Sequence, residues 1–185
     1  MNSGTITPTP ITLAQLLLAR EQRQTRQAQL LQQYQSTLIC LTINMPGEVK
    51  LNEDSILLFT QAVSAIESVA KKNKLHILHQ QQLPLITGAE AYWVIADKKA
   101  KEIKKLLIEL EQQHPLGRMW DIDVFNPDTG TALSRSMMSI EPRACLVCQQ
   151  PAKACARSQQ HPLQELLSVI HDKITNYRVQ TADKP

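Results

Sequence analysis

Thr37-Leu38-Ile39-Cys40-Leu41-Thr42-Ile43-Asn44 is rich in β-branched residues and closes on Met45-Pro46-Gly47, a turn signal, so it predicts a strand. Downstream, Asn52-Glu53-Asp54-Ser55 offers helix caps ahead of residues 56–72, whose apolar side chains recur at three and four. Residues 74–86, interrupted near Pro84, and 91–96, rich in aromatic and β-branched residues, read as two strands joined across Gly88. A second amphipathic helix opens with Asp97 as its cap and carries Ile103, Leu106, Leu107 and Leu110 on one side. Its lysines Lys98, Lys99, Lys101, Lys104 and Lys105 read as a wet face, and Pro115 and Gly117 end it. Met119 to Phe125 alternates acidic and bulky residues at period two, which predicts a strand. Asn126-Pro127-Asp128-Thr129-Gly130 then turns the chain toward an extra hairpin strand at 131–136.

The order β, α, β, β, α, β is the split βαβ, or ferredoxin-like, pattern: an α+β fold with an antiparallel sheet and both helices on one face. Upstream of it, residues 11–34 have helical spacing without Gly or Pro and predict one long N-terminal helix, with Glu21 the place for a break. The chain therefore divides into a flexible lead at 1–11, an α+β core at 37–136, a Cys/His-rich segment at 143–161 and a C-terminal helix at 162–176. All belong to one expected domain spanning 1–185, since 185 residues leave no room for a repeat array.

Composition narrows the classes. Hydrophobic residues make up 43% and charged residues 20%, enough to build a core and too little charge for wholesale disorder. Lys plus Arg total 20 against 17 Asp plus Glu, and a net charge of +3 is too small to favour wrapping a nucleic acid. Aromatics at 4% are few for an RNA-stacking sheet, although Trp93 and Trp120 are candidates to stack an adenine. No apolar run reaches membrane-span length and no secretory leader pattern stands at the N-terminus, so neither a membrane nor secretion is expected. Three of the four cysteines crowd into 145–155, unlike a disulfide framework, and a cytoplasmic setting is expected.

Two constellations carry chemistry. In Gly117-Arg118-Met119-Trp120-Asp121-Ile122-Asp123-Val124, strand alternation sets Asp121 and Asp123 on one face about 7 Å apart and directs Trp120, Ile122 and Val124 to the core. Two such carboxylates repel unless a cation joins them. Mg²⁺ suits that place, since it takes one or two carboxylates and completes its shell with water and phosphate oxygens. The bland alternative is a pair of surface aspartates. Gly117 offers close backbone approach to a ligand, and the Arg118 fork matches a phosphate. His114 either caps a helix end or accepts a proton near the aspartates. The second set, Cys145-x2-Cys148-x6-Cys155-x5-His161, supplies three thiolates and an imidazole, the ligands of a structural Zn²⁺ site, or else three small buried side chains.

Taken together, REQR at 20–23, NMPGEVK at 44–50, IELEQQHPLGRMWDIDVFNPDTG at 108–130, LSR at 133–135 and RACLVCQQPAKACARSQQH at 143–161 resemble the citrate lyase holo-acyl-carrier-protein synthase family, also called apo-citrate lyase phosphoribosyl-dephospho-CoA transferase. The resemblance runs from about Leu13 to Leu167. It implies a nucleotidyltransferase-type reaction that moves phosphoribosyl-dephospho-CoA from triphosphoribosyl-dephospho-CoA to a serine of the citrate lyase acyl-carrier subunit, releasing pyrophosphate. The matched blocks make Arg20, Arg23, Lys50 and Arg135 candidates for substrate phosphates. They give Asp121 and Asp123 the Mg²⁺, Arg118 the triphosphate, and Asp121, Asp123, Glu109, Glu111 or His114 the role of base. The enzyme that makes the donor is a further candidate partner. The malonate decarboxylase carrier is the alternative acceptor, and a non-catalytic zinc-stapled binding module is the alternative of another class.

Overall fold

The computed structural model describes residues 7–96 and 99–182. The elements run α1 (Leu13–Tyr34), β1 (Thr37–Ile43), α2 (Glu53–Lys72), β2 (Ile77–Leu83), β3 (Glu90–Ile95), α3 (Ala100–Gln113), β4 (Trp120–Asn126), β5 (Thr131–Ala132), α4 (Ala152–Ser158) and α5 (Leu163–Ala182). The sheet order is β2-β3-β1-β4-β5, and every neighbouring pair is antiparallel. Each crossover helix skips one strand: α2 leads from β1 past β3 to β2, and α3 leads from β3 past β1 to β4. This is the ferredoxin-like order read from the sequence.

Alternation along β1 sorts the layers. Ile39 and Leu41, with Trp93, Ile122 and Val124, face α2 and α3 in the main core. Leu38 and Cys40, with Tyr92 and Val94, face Leu30, Leu31 and Tyr34 of α1. Fully burying a Leu- or Ile-sized side chain stabilises by about 1.5–3 kcal/mol, so the α2/α3 face carries most of the fold's apolar stabilisation. Two reciprocal caps start the helices: Thr12 with Gln15 for α1, and Asn52 with Ser55 for α2. The lead ends on an anchored residue, since Ile11 is buried and donates its N–H to Glu48 O at 3.0 Å.

Several expectations are corrected. Helix α1 runs unbroken through Glu21. Met119 belongs to a 3₁₀ turn, Gly117–Met119, that precedes β4. Helix α5 continues to Ala182, and α4 forms inside the cysteine segment. Trp120 is buried on the α2/α3 side of the sheet, as strand alternation directs it, and Trp93 lies there too, so the adenine-stacking role falls for both. The Asp97 cap, Lys98 and the first six residues of the lead lie outside the described residues.

Lys104 departs furthest from its expected place. Lys99, Lys101 and Lys105 are exposed, but Lys104 is 5% exposed. Strand β5 meets β4 only at Phe125–Ala132 and Asn126–Thr131, which leaves Ile122 at an open edge. There the Lys104 ammonium donates to Ile122 O, and Ile122 N–H donates to Glu111 Oε1 at 3.3 Å. Seven residues apart on α3, Lys104 and Glu111 share the buried stripe with Leu107 and Ile108. They stand in for the missing strand.

Candidate active site

Side chains on the α1 face form two rows across the sheet. Glu90, Thr42 and Asp121 make the first, and Tyr92, Cys40 and Asp123 the second. With strands about 4.8 Å apart, the rows set Glu90 roughly 10 Å from Asp121 with β1 between them. Strand alternation thus places both aspartates on one face, as the sequence predicts. Asp121 is exposed, whereas Asp123 is half-buried beside Cys40. Burial first, then the neighbouring Asp121 charge, pushes the Asp123 carboxyl above its ordinary value, while Lys104 and Arg143 pull it back. Burial likewise raises the Cys40 thiol to about 12, so it is no nucleophile; Gln27 donates to its sulfur at 3.3 Å.

A cavity of about 160 Å³ opens beside this face, lined by Arg20, Arg23, Thr42, Lys50, Gly88 and Asp121 among others. Helix α1 brings Arg20 and Arg23, the Pro46-Gly47 turn brings Lys50, and β4 brings Asp121. Lys50 donates to Met45 O at 2.6 Å, and burial followed by the nearby Arg20 charge lowers its pKa. Arg23 is aimed by Glu90, which is fully buried. Glu90 accepts from Arg23 Nε at 2.9 Å, from Arg26 Nη2 at 2.6 Å and from the Tyr92 hydroxyl. A larger concavity of about 680 Å³, lined by Lys74, His76 and Glu102 among others, lies at the opposite end of β3 and contains none of the predicted site residues.

A second cationic group stands on the other side of Asp121. Glu111, 6% exposed, accepts from Arg135 Nη2 at 2.6 Å and from Arg143 Nη2 at 2.7 Å. Arg143 also reaches Asp121 Oδ1 through Nη1 at 3.4 Å. Arg118 lies in the field of the same arginines and of Glu111, and its buried Nε has no hydrogen-bond partner. The Arg118 and Arg135 of the sequence reading are therefore gathered here, together with Arg143 at the head of the cysteine-rich block.

Two residues serve the framework. A Cβ on Gly117 would lie 2.3 Å from Glu111 O, so this glycine admits the end of α3, not a ligand. His114 accepts the Leu116 N–H on Nδ1 at 3.1 Å and packs on Trp120 with ring centroids 4.3 Å apart, on the sheet face away from Asp121. Burial lowers its pKa.

The sulfurs of Cys145, Cys148 and Cys155 and a ring nitrogen of His161 lie within 4.8 Å of one another, close enough to hold a metal ion. Burial acts to raise the Cys145 thiol, but hydrogen bonds from the Cys148 and Val147 backbone outweigh it and bring it down to about 6.

With this geometry in place, comparison with known proteins is decisive: the family model for apo-citrate lyase phosphoribosyl-dephospho-CoA transferase matches residues 11–177. The chain belongs to that family. A relative named apo-citrate lyase phosphoribosyl-dephospho-CoA transferase from Citrobacter koseri is 39% identical over 88% of this chain and 90% of its own. One of the same name from Escherichia coli O139:H28 is 39% identical over 85% of each chain. Protein CitXG of Haemophilus influenzae is 40% identical over 90% of this chain, which spans only 36% of that longer relative. The family match covers the α1 arginines, the paired aspartates and the whole cysteine segment.

Proposed function

We propose that this protein transfers the phosphoribosyl-dephospho-CoA group from triphosphoribosyl-dephospho-CoA to a serine hydroxyl of the citrate lyase acyl-carrier subunit, with release of pyrophosphate. It is a nucleotidyltransferase in this reading. The observation that carries it is the convergence of Arg20, Arg23, Lys50 and Asp121 on one cavity within a chain of this family. At about 160 Å³ the cavity is below the usual 300–1,000 Å³ of a drug-sized ligand site, so it suits the phosphate end of the donor and leaves the rest outside.

The serine oxygen attacks the α-phosphorus, the new P–O bond forms, and the bond to the departing pyrophosphate breaks. Little covalent work falls to the protein, so positioning and neutralisation of phosphate charge dominate. Arg20, Arg23 and Lys50 hold phosphate oxygens on one side of Asp121, and Arg118 and Arg135 brace them on the other. The raised Asp123 beside Asp121 fits a divalent cation, because a shared positive charge relieves the repulsion between the two. Bound there, Mg²⁺ would supply charge neutralisation for the phosphates. Glu111 is committed to two arginines and a backbone N–H, Glu109 lies on the exposed side of α3 and His114 faces away, so the serine proton goes to the aspartate pair. The carrier reaches the site in the cytoplasm; among the described residues no helix is long and apolar enough to cross a membrane. The three thiolates and imidazole suit Zn²⁺ in a structural role.

Neither alternative gains support. An RNA-binding sheet needs an open face with aromatic platforms, but α1 covers one face, α2 and α3 the other, and both tryptophans are buried. The malonate decarboxylase carrier has no feature here in its favour.

Intact mass spectrometry of apo-carrier incubated with this protein, Mg²⁺ and triphosphoribosyl-dephospho-CoA tests the proposal. A gain equal to the phosphoribosyl-dephospho-CoA group is expected, and Asp121→Asn or Asp123→Asn should lower its rate by about 10³-fold without loss of fold. No gain on a competent carrier overturns the transfer, and wild-type rates in either variant remove the aspartates from its mechanism.

A further inference from the structure

The segment 143–161 has little to hold it in place. Its one buried hydrophobic side chain is Cys155, and only Leu146 packs partly against the main core. Nevertheless it is folded. Cys145 N–H donates to Gln150 O at 2.7 Å and Ala152 N–H to Arg143 O at 2.9 Å, flanking an Ala144–Pro151 bridge. These bonds make a short hairpin that carries Cys145 and Cys148, and α4 follows at once with Cys155.

The donor atoms have the arrangement of a ligand shell. Cys148 Sγ and Cys155 Sγ are 3.5 Å apart, well beyond a disulfide and near the roughly 3.8 Å edge of a tetrahedron with Zn–S bonds of about 2.3 Å. His161 turns Nε2 toward Cys148 Sγ at 3.3 Å and Nδ1 toward Glu165 Oε2 at 3.3 Å. A carboxylate on the far nitrogen is the partner that orients a metal-bound imidazole. Three soft sulfurs with one nitrogen select zinc over magnesium or calcium.

At the base of this hairpin stands Arg143, two residues before the first cysteine. Its carbonyl is tied to Ala152, and its guanidinium bridges Glu111 and Asp121. We propose that Cys145, Cys148, Cys155 and His161 bind one Zn²⁺, and that the ion holds Arg143 against Glu111 and Asp121, making Arg143 a positioning residue for the aspartate pair. Its link to catalysis rests on the transfer reading above; its metal and positional parts do not. Zinc closes the hairpin, the hairpin fixes the Arg143 backbone, and the fork aligns Asp121 beside the cavity while its other arm holds Glu111 on the β4 edge.

The experiment uses the full chain produced with zinc supplied. Elemental analysis should find about one zinc per chain. Hydrogen exchange of the peptide covering 118–126 should rise about tenfold when a mercurial and chelator strip the metal from the folded protein. Arg143→Ala, which keeps all four ligands, should retain zinc and show the same local rise, and Arg143→Lys should restore part of the protection. Cys148→Ser should lose the metal; should it fail to fold, the stripped wild type and Arg143→Ala still decide the matter. In the transfer assay, Arg143→Ala should cut kcat about tenfold with KM for the donor changed less than about twofold. Wild-type protein with under about 0.1 zinc per chain overturns the metal, and unchanged exchange at 118–126 after stripping overturns the positioning. Absence of transfer by the wild type counts against the transfer reading alone.

Discussion

Two buried glutamates flank the aspartate pair, and each is gripped by two arginines, yet they are built differently. Glu90 sits within β3 and ties α1 to the sheet through Arg23 and Arg26, with the Tyr92 hydroxyl completing its shell. Glu111 sits on α3 and ties two later segments to β4 through Arg135 and Arg143, while also capping Ile122 N–H. The Glu90 cluster is closed, and its useful output is the placement of Arg23 in the cavity. The Glu111 cluster is open: Arg118 Nε lacks a partner and Arg143 extends to Asp121. Each cluster holds one more guanidinium than carboxylate; what differs is that Glu90 engages both of its arginines, whereas the Arg118 Nε is left unpaired beside Glu111 and offers a donor to an anion.

The sharpest way to break this comparison is to remove each glutamate. Glu111→Ala should cost about 3–5 kcal/mol, or roughly 10 °C in Tm, because it strands two arginines and a buried backbone donor. Glu90→Ala should cost about 1 kcal/mol less, since its partners are two arginines and the Tyr92 hydroxyl, with no backbone N–H left stranded. Thermal and urea denaturation of both variants would show the order, and a reversed order removes the distinction. Gly117→Ala comes next at about 2 kcal/mol, because its methyl group would overlap the Glu111 carbonyl and displace the end of α3.

The smallest effect has the opposite sign. With the Asp123 pKa raised in the folded state, native protein holds its proton more tightly than unfolded chain, so this group's contribution to stability falls as pH rises through the window above the ordinary value of 3.8. Asp123→Asn should therefore raise Tm at neutral pH, by about 2–4 °C, and the advantage should vanish below the ordinary Asp range. Melting curves of the two proteins from acid to neutral pH test this. An advantage that grows toward acid would show that burial and Asp121 do not strain this carboxylate.

Much of the fold was legible because it is written in short-range periods. The β1 run, the α2 caps and the alternation through Asp121 and Asp123 each announce themselves within a few residues, and the skipped-strand topology follows from their order. The cluster of Cys145, Cys148, Cys155 and His161 was legible for the same reason, its four side chains falling within seventeen residues. Lys104 was misread because a lysine among four others resembles a wet helical face; only its place two turns from Glu111, on the stripe with Leu107 and Ile108, hinted otherwise. The partners of Arg143 could not be read, since Glu111 and Asp121 lie far upstream and meet it only through the fold. Trp93 and Trp120 were open to two readings, since an indole can stack a base or fill a core; burial decides for the core, where strand alternation directs Trp120.

The side-chain cap on Ile122 also governs how the molecule meets its own kind. An unpaired strand edge is a template on which another chain can lay a strand. With the Ile122 N–H and C=O already taken by Glu111 and Lys104, no incoming backbone finds a ladder to extend. The lysine and glutamate that look like ordinary helix charges therefore act as a stopper against polymerisation, leaving β4 free to carry its carboxylates in solution.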